Sequence, residues 1–201
     1  MSELQVYADE LIPLMQSLDL TGAEVLDLGC GTGGLSRRIA REAGAAQVIG
    51  VDADTGQIAR AAEKGAPTVS FLQGRGEALP LKTASLDAAI MMKSLHHVPI
   101  PSIDAALAEL ARVLRPGGRA YICEPAYEGA FNDILRIFHD EGPERAAVLA
   151  AIDRSLGAGV FLMSQRFDYL RPLAFRDLND FRARMMNLPW LKSKITPAIE
   201  T

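Results

Sequence analysis

Five short apolar runs punctuate the first 125 residues, and between them the apolar positions recur every three or four places. The runs are Val25–Leu28, Gln47–Val51, Thr68–Leu72, Leu86–Met92 and Ala120–Cys123. Their length and near-continuous apolar character suit strands of a parallel sheet covered on both faces. Leu35, Ile39 and Ala43 keep helical spacing, as do Ile103, Ala106, Leu107, Leu110 and Leu114. Strands alternating with helices predict an α/β fold: a doubly wound, mostly parallel Rossmann-like sheet of order 3-2-1-4-5 with an added edge strand and helices on both faces. The strand order reverses beside the first strand, so a crevice opens there, and the ends of the first and fourth runs become neighbours.

The connections carry their own signals. Leu4, Ala8, Leu11, Leu14 or Met15, and Leu18 predict an N-terminal helix over Leu4–Leu18, kinked or interrupted at Pro13. Asp54 and Thr55 are placed to cap the helix containing Ile58–Ala62, Ser102 to cap the one that follows, and Arg115-Pro-Gly-Gly to end it. From Phe131 the character changes. Helical patterns over Asn132–Glu141 and Pro143–Leu156 predict a substrate lid, Met163–Leu170 a sixth strand, and Phe175–Asn187 a closing helix. The 201 residues read as one domain with a core over about 20–125, a lid over about 130–160 and a C-terminal strand and helix over about 163–188.

Composition narrows the partners. Hydrophobic residues make up 49% of the chain, enough for a sizeable core, and 21 basic against 25 acidic residues leave a net charge of −4. That balance offers no broad basic field, so nucleic acid is excluded as the main partner and a small or partly apolar substrate fits better. Cys30 and Cys123 lack metal-ligand spacing. With no run of 18 apolar residues and no basic, apolar leader at the N-terminus, the expectation is a soluble cytoplasmic protein without a membrane partner. An exposed sheet edge would favour association, so monomer and homodimer both stand.

The chemistry concentrates in Val25-Leu-Asp-Leu-Gly-Cys-Gly-Thr-Gly-Gly34. An apolar strand breaks into a turn in which Gly29, Gly31 and Gly34 keep the spacing G-x-G-x-x-G, with Gly33 beside them, and a helix resumes at once. Asp27, two places before the first glycine, is the discriminating residue. It repels a diphosphate and suits a ligand with an ammonium group. Asp52, about 20 residues past the glycines at the end of the second strand, is placed to accept hydrogen bonds from both hydroxyls of a ribose. A phosphate-binding Lys-Ser/Thr after the glycines is missing.

On these residues, the stretch from about Leu11 to Glu124 resembles the class I S-adenosylmethionine-dependent methyltransferases, in their small-molecule, quinone-biosynthesis-like branch. The resemblance implies S-adenosyl-L-methionine as cofactor and S-adenosyl-L-homocysteine as product, held by Asp27, Gly29, Cys30, Gly31, Gly33, Asp52, Ala53, Gly76, Glu77 and Ser94. In the turn Gln73-Gly-Arg-Gly-Glu-Ala-Leu-Pro80, Arg75 stands where the family usually has an aspartate, which leaves the backbone at Gly76 and Glu77 to bracket the adenine. Methyl transfer by direct displacement needs no metal, and His97, then His96, are the candidate general bases. Glu124 is placed to orient His97 or cap the chain after the fifth strand, and a His96–His97–Glu124 metal site is a further option. Tyr7 either folds over the cofactor or packs; Met91 and Met92 read as core, and Phe161 and Trp190 as packing. Two rival readings share these features: an NAD-dependent oxidoreductase, which leaves Asp27 unexplained, and a non-catalytic cofactor-binding subunit, suggested by Arg75 and the incomplete C-terminal sheet.

Overall fold

The computed structural model describes residues 4–186, and Trp190 and Asn187 lie outside them. In chain order the elements are β1 (Gln5–Val6), α1 (Leu11–Ser17), β2 (Glu24–Leu28), α2 (Gly34–Glu42), β3 (Gln47–Asp52), α3 (Thr55–Glu63), β4 (Val69–Gln73), β5 (Leu86–Met92), α4 (Ile103–Val113), β6 (Leu114–Cys123), α5 (Ala130–Leu135), α6 (Gly142–Gly157), β7 (Tyr169–Leu170) and α7 (Leu178–Phe181). The main sheet has five strands in the order β4-β3-β2-β5-β6, every pair parallel. Counted among themselves, these strands run 3-2-1-4-5, as the sequence predicts.

Period-two alternation sends successive side chains of β2 into two cores. Leu26 and Leu28 face the layer containing Leu107 and Leu110 of α4, while Val25 faces Leu14, Ile39 and Ala43 on α1 and α2. Each of these leucines is almost wholly removed from water, which is worth roughly 1.5–3 kcal/mol per side chain. Met91 is buried in the first layer and Met92 packs against the second, so both serve the core.

Several predicted boundaries are corrected. The N-terminal helix covers only Leu11–Ser17 and begins without a side-chain cap; Pro13 sits in its first turn, where its missing N–H has no intrahelical partner to lose. Gln5–Val6 instead pairs in parallel with Tyr169–Leu170. Of the predicted sixth strand only those two residues are extended in a ladder, and they form a separate two-stranded sheet rather than an edge of the main one. β6 starts earlier than predicted, because Leu114 already pairs with Leu86 and the Pro-Gly-Gly bulge is absorbed within the strand. Arg115, in that bulge, bridges Asp87 and Glu24.

Asp54 caps α3, accepting from the backbone N–H of Gly56 and Gln57. Ser102 occupies the corresponding place before α4, but its hydroxyl makes no capping bond, since a 3₁₀ turn over Ile100–Ser102 leads in instead. α5 stops at Leu135, six residues short of the predicted end, and the closing helix is one turn of α-helix running into a π turn over Arg182–Met186. α6 is more than a cover: Val148 and Ala151 are buried in the main core beside Phe161.

Candidate functional site

The site is built on the C-terminal ends of the parallel strands, where β2 and β5 are adjacent and the chain reverses its order of winding. After β2, the backbone N–H groups of Gly29 and Cys30 both donate to the Val51 carbonyl, which ties the glycine turn to β3. Gly29 has φ +79°, and a Cβ built there would lie 2.4 Å from the Ser94 Cβ. Only glycine lets the turn after β2 approach the turn after β5 that closely. Ser94 completes the contact by donating its hydroxyl to the Leu28 carbonyl at 2.7 Å. Gly33, at φ +72°, starts α2 in the left-handed region with the Phe71 ring against it, whereas a Cβ on Gly31 would meet nothing within 4 Å. Gly31 therefore borders open space.

Asp27 is only 2% exposed. It points from β2 toward α2, where the Ser36 hydroxyl donates to its Oδ2 at 2.6 Å. Burial, reinforced by the nearby charge of Asp52, pushes its pKa up to about 6 despite that hydrogen bond. An anion so placed is costly unless a cation joins it. Asp52 accepts from the Gly31 N–H at 2.8 Å and from the Asp54 N–H at 2.9 Å, one on each oxygen. Each carboxylate oxygen keeps a further lone pair for a ligand hydroxyl. Cys30 is buried beside these acids, and its thiol is raised to about 12, so it is inert as a nucleophile.

Ala53 is exposed beside Asp52, and Gly76 and Glu77 are half-buried in the turn after β4. There the Arg75 side chain is 65% exposed and pairs with Glu77 at 2.8 Å. It points to solvent. Tyr7 packs edge-on against Tyr169 and donates to Gln16, and Tyr169 in turn contacts the Cys123 thiol.

The turn after β5 holds a feature that local sequence did not show. His96 is buried and its Nδ1 bonds Glu124, whose other oxygen accepts from the Leu95 N–H at 2.8 Å. Glu124 thus orients His96, not His97 as the sequence suggests. His97 lies against His96 with ring centroids 4.1 Å apart and keeps an exposed face. Desolvation of its nitrogens, with His96 adding to the effect, holds its pKa below the usual histidine value, so the ring is neutral at neutral pH.

Opposite these histidines stands Glu141, contributed by the chain just before α6. Its Oε1 lies 2.7 Å from His139 Nε2 and 3.6 Å from His96 Nε2, and its Oε2 accepts from Arg145 at 2.6 Å. Arg145, itself buried, also donates to Asn132 Oδ1 and to the Ala126 carbonyl. Burial works to raise the Glu141 carboxyl, but Arg145 and the histidines outweigh it and hold it below the usual range. Glu141, not Glu124, completes the candidate metal-binding group with His96 and His97.

Sequence reasoning missed Ser36, Glu141, His139 and Arg145. The usable signal was scarcity: the chain has three histidines, and His139 was the one left without a role. A second missed feature is Lys93, a non-glycine residue at φ +55° at the end of β5, whose ammonium pairs with Glu10 at 2.7 Å. The sequence places residues of this kind at the crevice without showing that Glu10, from the N-terminal segment, folds over to meet them.

The family model described as "Methyltransferase domain" matches residues 25–118. The demethylmenaquinone methyltransferase of Lactococcus lactis is 35% identical over 125 residues, covering 57% of this chain and 49% of that protein. Among solved structures, the YcgJ protein from Bacillus subtilis superposes with a TM-score of 0.57 at 25% identity over 70% of this chain and 66% of that one. The [4+2]-cyclase SpnF gives a TM-score of 0.53 at 29% identity over 70% and 56%. The chain spans about half the length of the curated relatives it matches. Among the described residues no helix is long and apolar enough to cross a membrane. The sheet order, the glycine turn docked on Ser94 and the matched residues agree: residues 25–118 are similar to a methyltransferase domain, and the fold around them is that of the S-adenosylmethionine-dependent methyltransferases.

Proposed function

We propose that this chain transfers a methyl group from S-adenosyl-L-methionine to a carbon, oxygen or nitrogen nucleophile of a small, partly apolar acceptor, a quinol (at carbon or oxygen) first among them. The observation that carries the reading is Asp27: a buried carboxylate beside the glycine turn, raised in pKa by that burial and by the nearby charge of Asp52. The amino-acid end of the cofactor supplies a cation to offset it. The rest of the donor set fits the same molecule. Asp52 retains acceptor capacity for a ribose diol and Gly31 borders open space; we assign the backbone at Gly76 and Glu77 to the adenine edge and Ala53 and Ser94 to the sides of the site.

When bound, the cofactor supplies an electrophilic methyl carbon, and the protein's part is alignment and exclusion of water. The acceptor loses a proton as it attacks. His97, neutral and partly open to the crevice, is the residue we assign to take it, with Glu124 and His96 fixing the turn that presents it. Residues of about 130–160 act as the lid that shapes the acceptor pocket, which is where relatives of one fold diverge in substrate. The quinol assignment is supported by the Lactococcus relative, named for demethylmenaquinone. A cytoplasmic setting is supported by two free cysteines. The same crevice serves a monomer or a homodimer.

The test is transfer of label. Methyl-labelled cofactor is incubated with the protein and reduced quinone acceptors or a metabolite extract. Label is expected in a small apolar product, with His97→Ala losing turnover near neutral pH, where the wild-type ring is neutral, and recovering at high pH, where the acceptor ionises unaided. Because the chain is also similar to a cyclase, S-adenosylhomocysteine binding without any labelled product would overturn the transferase reading while leaving the cofactor site standing.

A further inference from the structure

All three histidines of the chain meet around one carboxylate. His96 and His97 come from the turn after β5, and His139 and Glu141 from the segment between α5 and α6. One ligand atom from each of His96, His97 and Glu141 lies within 4.8 Å of the other two. We propose that His96, His97 and Glu141 form a site for a divalent transition-metal ion of the zinc class, with His139 at its rim.

The separations favour shared ligation over simple hydrogen bonding. His96 Nε2 stands 3.6 Å from Glu141 Oε1, too far for a hydrogen bond. Two donors each about 2.1 Å from one ion are themselves roughly 3–4 Å apart, the spacing this pair already has. The partners of these groups leave the right atoms free. Glu124 takes Nδ1 of His96 and so directs Nε2 toward Glu141, the carboxylate–histidine–metal arrangement that fixes a ligand's tautomer. Arg145 occupies Oε2 of Glu141, so Oε1 faces the histidines and keeps a lone pair for an ion beside its contact with His139. His139 reaches that same Oε1 at 2.7 Å, and its Nδ1 is buried without a partner. Two imidazoles and one carboxylate select zinc, iron, cobalt or nickel over magnesium or calcium.

His97 is exposed, which gives an ion an entry path and an open position. An ion there also engages the ring assigned above as the acceptor's base, so metal and proton compete for His97. That consequence rests on the methyl-transfer reading, whereas the binding site does not.

The experiment titrates the chelator-treated full chain with Co(II), followed by absorption, and then with Zn(II) by calorimetry. The expected result is one Co(II) per chain with the visible bands of nitrogen and oxygen ligands and no thiolate charge-transfer band, displaced by one Zn(II). His97→Ala and Glu141→Gln should each weaken Co(II) binding at least about tenfold. Should Glu141→Gln melt before it can be titrated, the exposed His97→Ala variant decides alone. Failure to saturate at one ion, a thiolate band, or unchanged affinity in His97→Ala overturns the site. None of these outcomes depends on methyl transfer, so the site and the reaction stand or fall separately.

Discussion

The two sides of the crevice are organised by different means. On the cofactor side, β2, α2 and β3 make a site within 26 consecutive residues: Asp27, the glycine turn and Asp52 are joined by backbone hydrogen bonds such as Gly31 N–H to Asp52. On the side of α5 and α6, Glu124, His96, Glu141, Arg145 and Asn132 come from four separate segments and are held by charged side chains. The first is specified by local backbone geometry and the second by tertiary burial of polar groups. Their sensitivities should differ accordingly.

The largest expected effect is on the cofactor side. Gly29→Ala adds a Cβ 2.4 Å from Ser94 at a φ of +79°, which combines overpacking with left-handed strain and should cost roughly 2–5 kcal/mol. Chemical denaturation measures it, with Gly31→Ala as the contrast, since that position has the positive φ but no clash. A smaller penalty at Gly29 than at Gly31 would break the claim that the two turns must touch.

On the side of α5 and α6, Arg145→Ala strips Glu141 and Asn132 of a buried partner. Loss of one member of a buried ion pair costs about 3–5 kcal/mol locally. Hydrogen exchange should show α6 opening while β2 and α2 keep their protection.

The third effect has the opposite sign. Asp27 binds its proton near 3.8 when unfolded and at about 6 when folded. Between those values the folded chain holds the extra proton, so the contribution of Asp27 to ligand-free stability is fully present below about 3.8 and is lost as pH rises through 6. The shift corresponds to roughly 3 kcal/mol at most. Asp27→Asn should therefore raise the thermal midpoint of the ligand-free protein at pH 7.5 and flatten its pH dependence. An unchanged midpoint would show that the burial is not strained. The smallest effect belongs to Arg75→Ala, which removes one exposed pair with Glu77 and should change stability by less than about 0.5 kcal/mol.

What the chain disclosed in advance follows the same division. The strand order, the crevice and Asp27 were legible because a strand, a glycine turn and a helix follow one another directly, and each constrains its neighbours within a few residues. The capping role of Asp54 was legible for the same reason. The region of α5 and α6 was not. Helical periodicity carried α5 on to Glu141, while the folded chain stops the helix at Leu135 and turns His139 and Glu141 inward to meet His96. Nothing within ten residues of Glu141 signals that partner. The β-like run up to Leu170 was recognised as extended, but its pairing with Gln5–Val6 depends on where the N-terminal segment folds. Ser36 shows the limit in miniature, an ordinary helix serine until α2 packs it against Asp27.

The central claim is that the Asp27 carboxylate is kept in its buried place to meet a cationic ligand. Calorimetric titration of S-adenosylhomocysteine into the wild-type chain and Asp27→Asn at pH 7.5 tests it directly. Loss of one charge-assisted hydrogen bond predicts a ten- to hundredfold weaker affinity in the variant, about 1.5–3 kcal/mol. Equal affinity in the two proteins would contradict it.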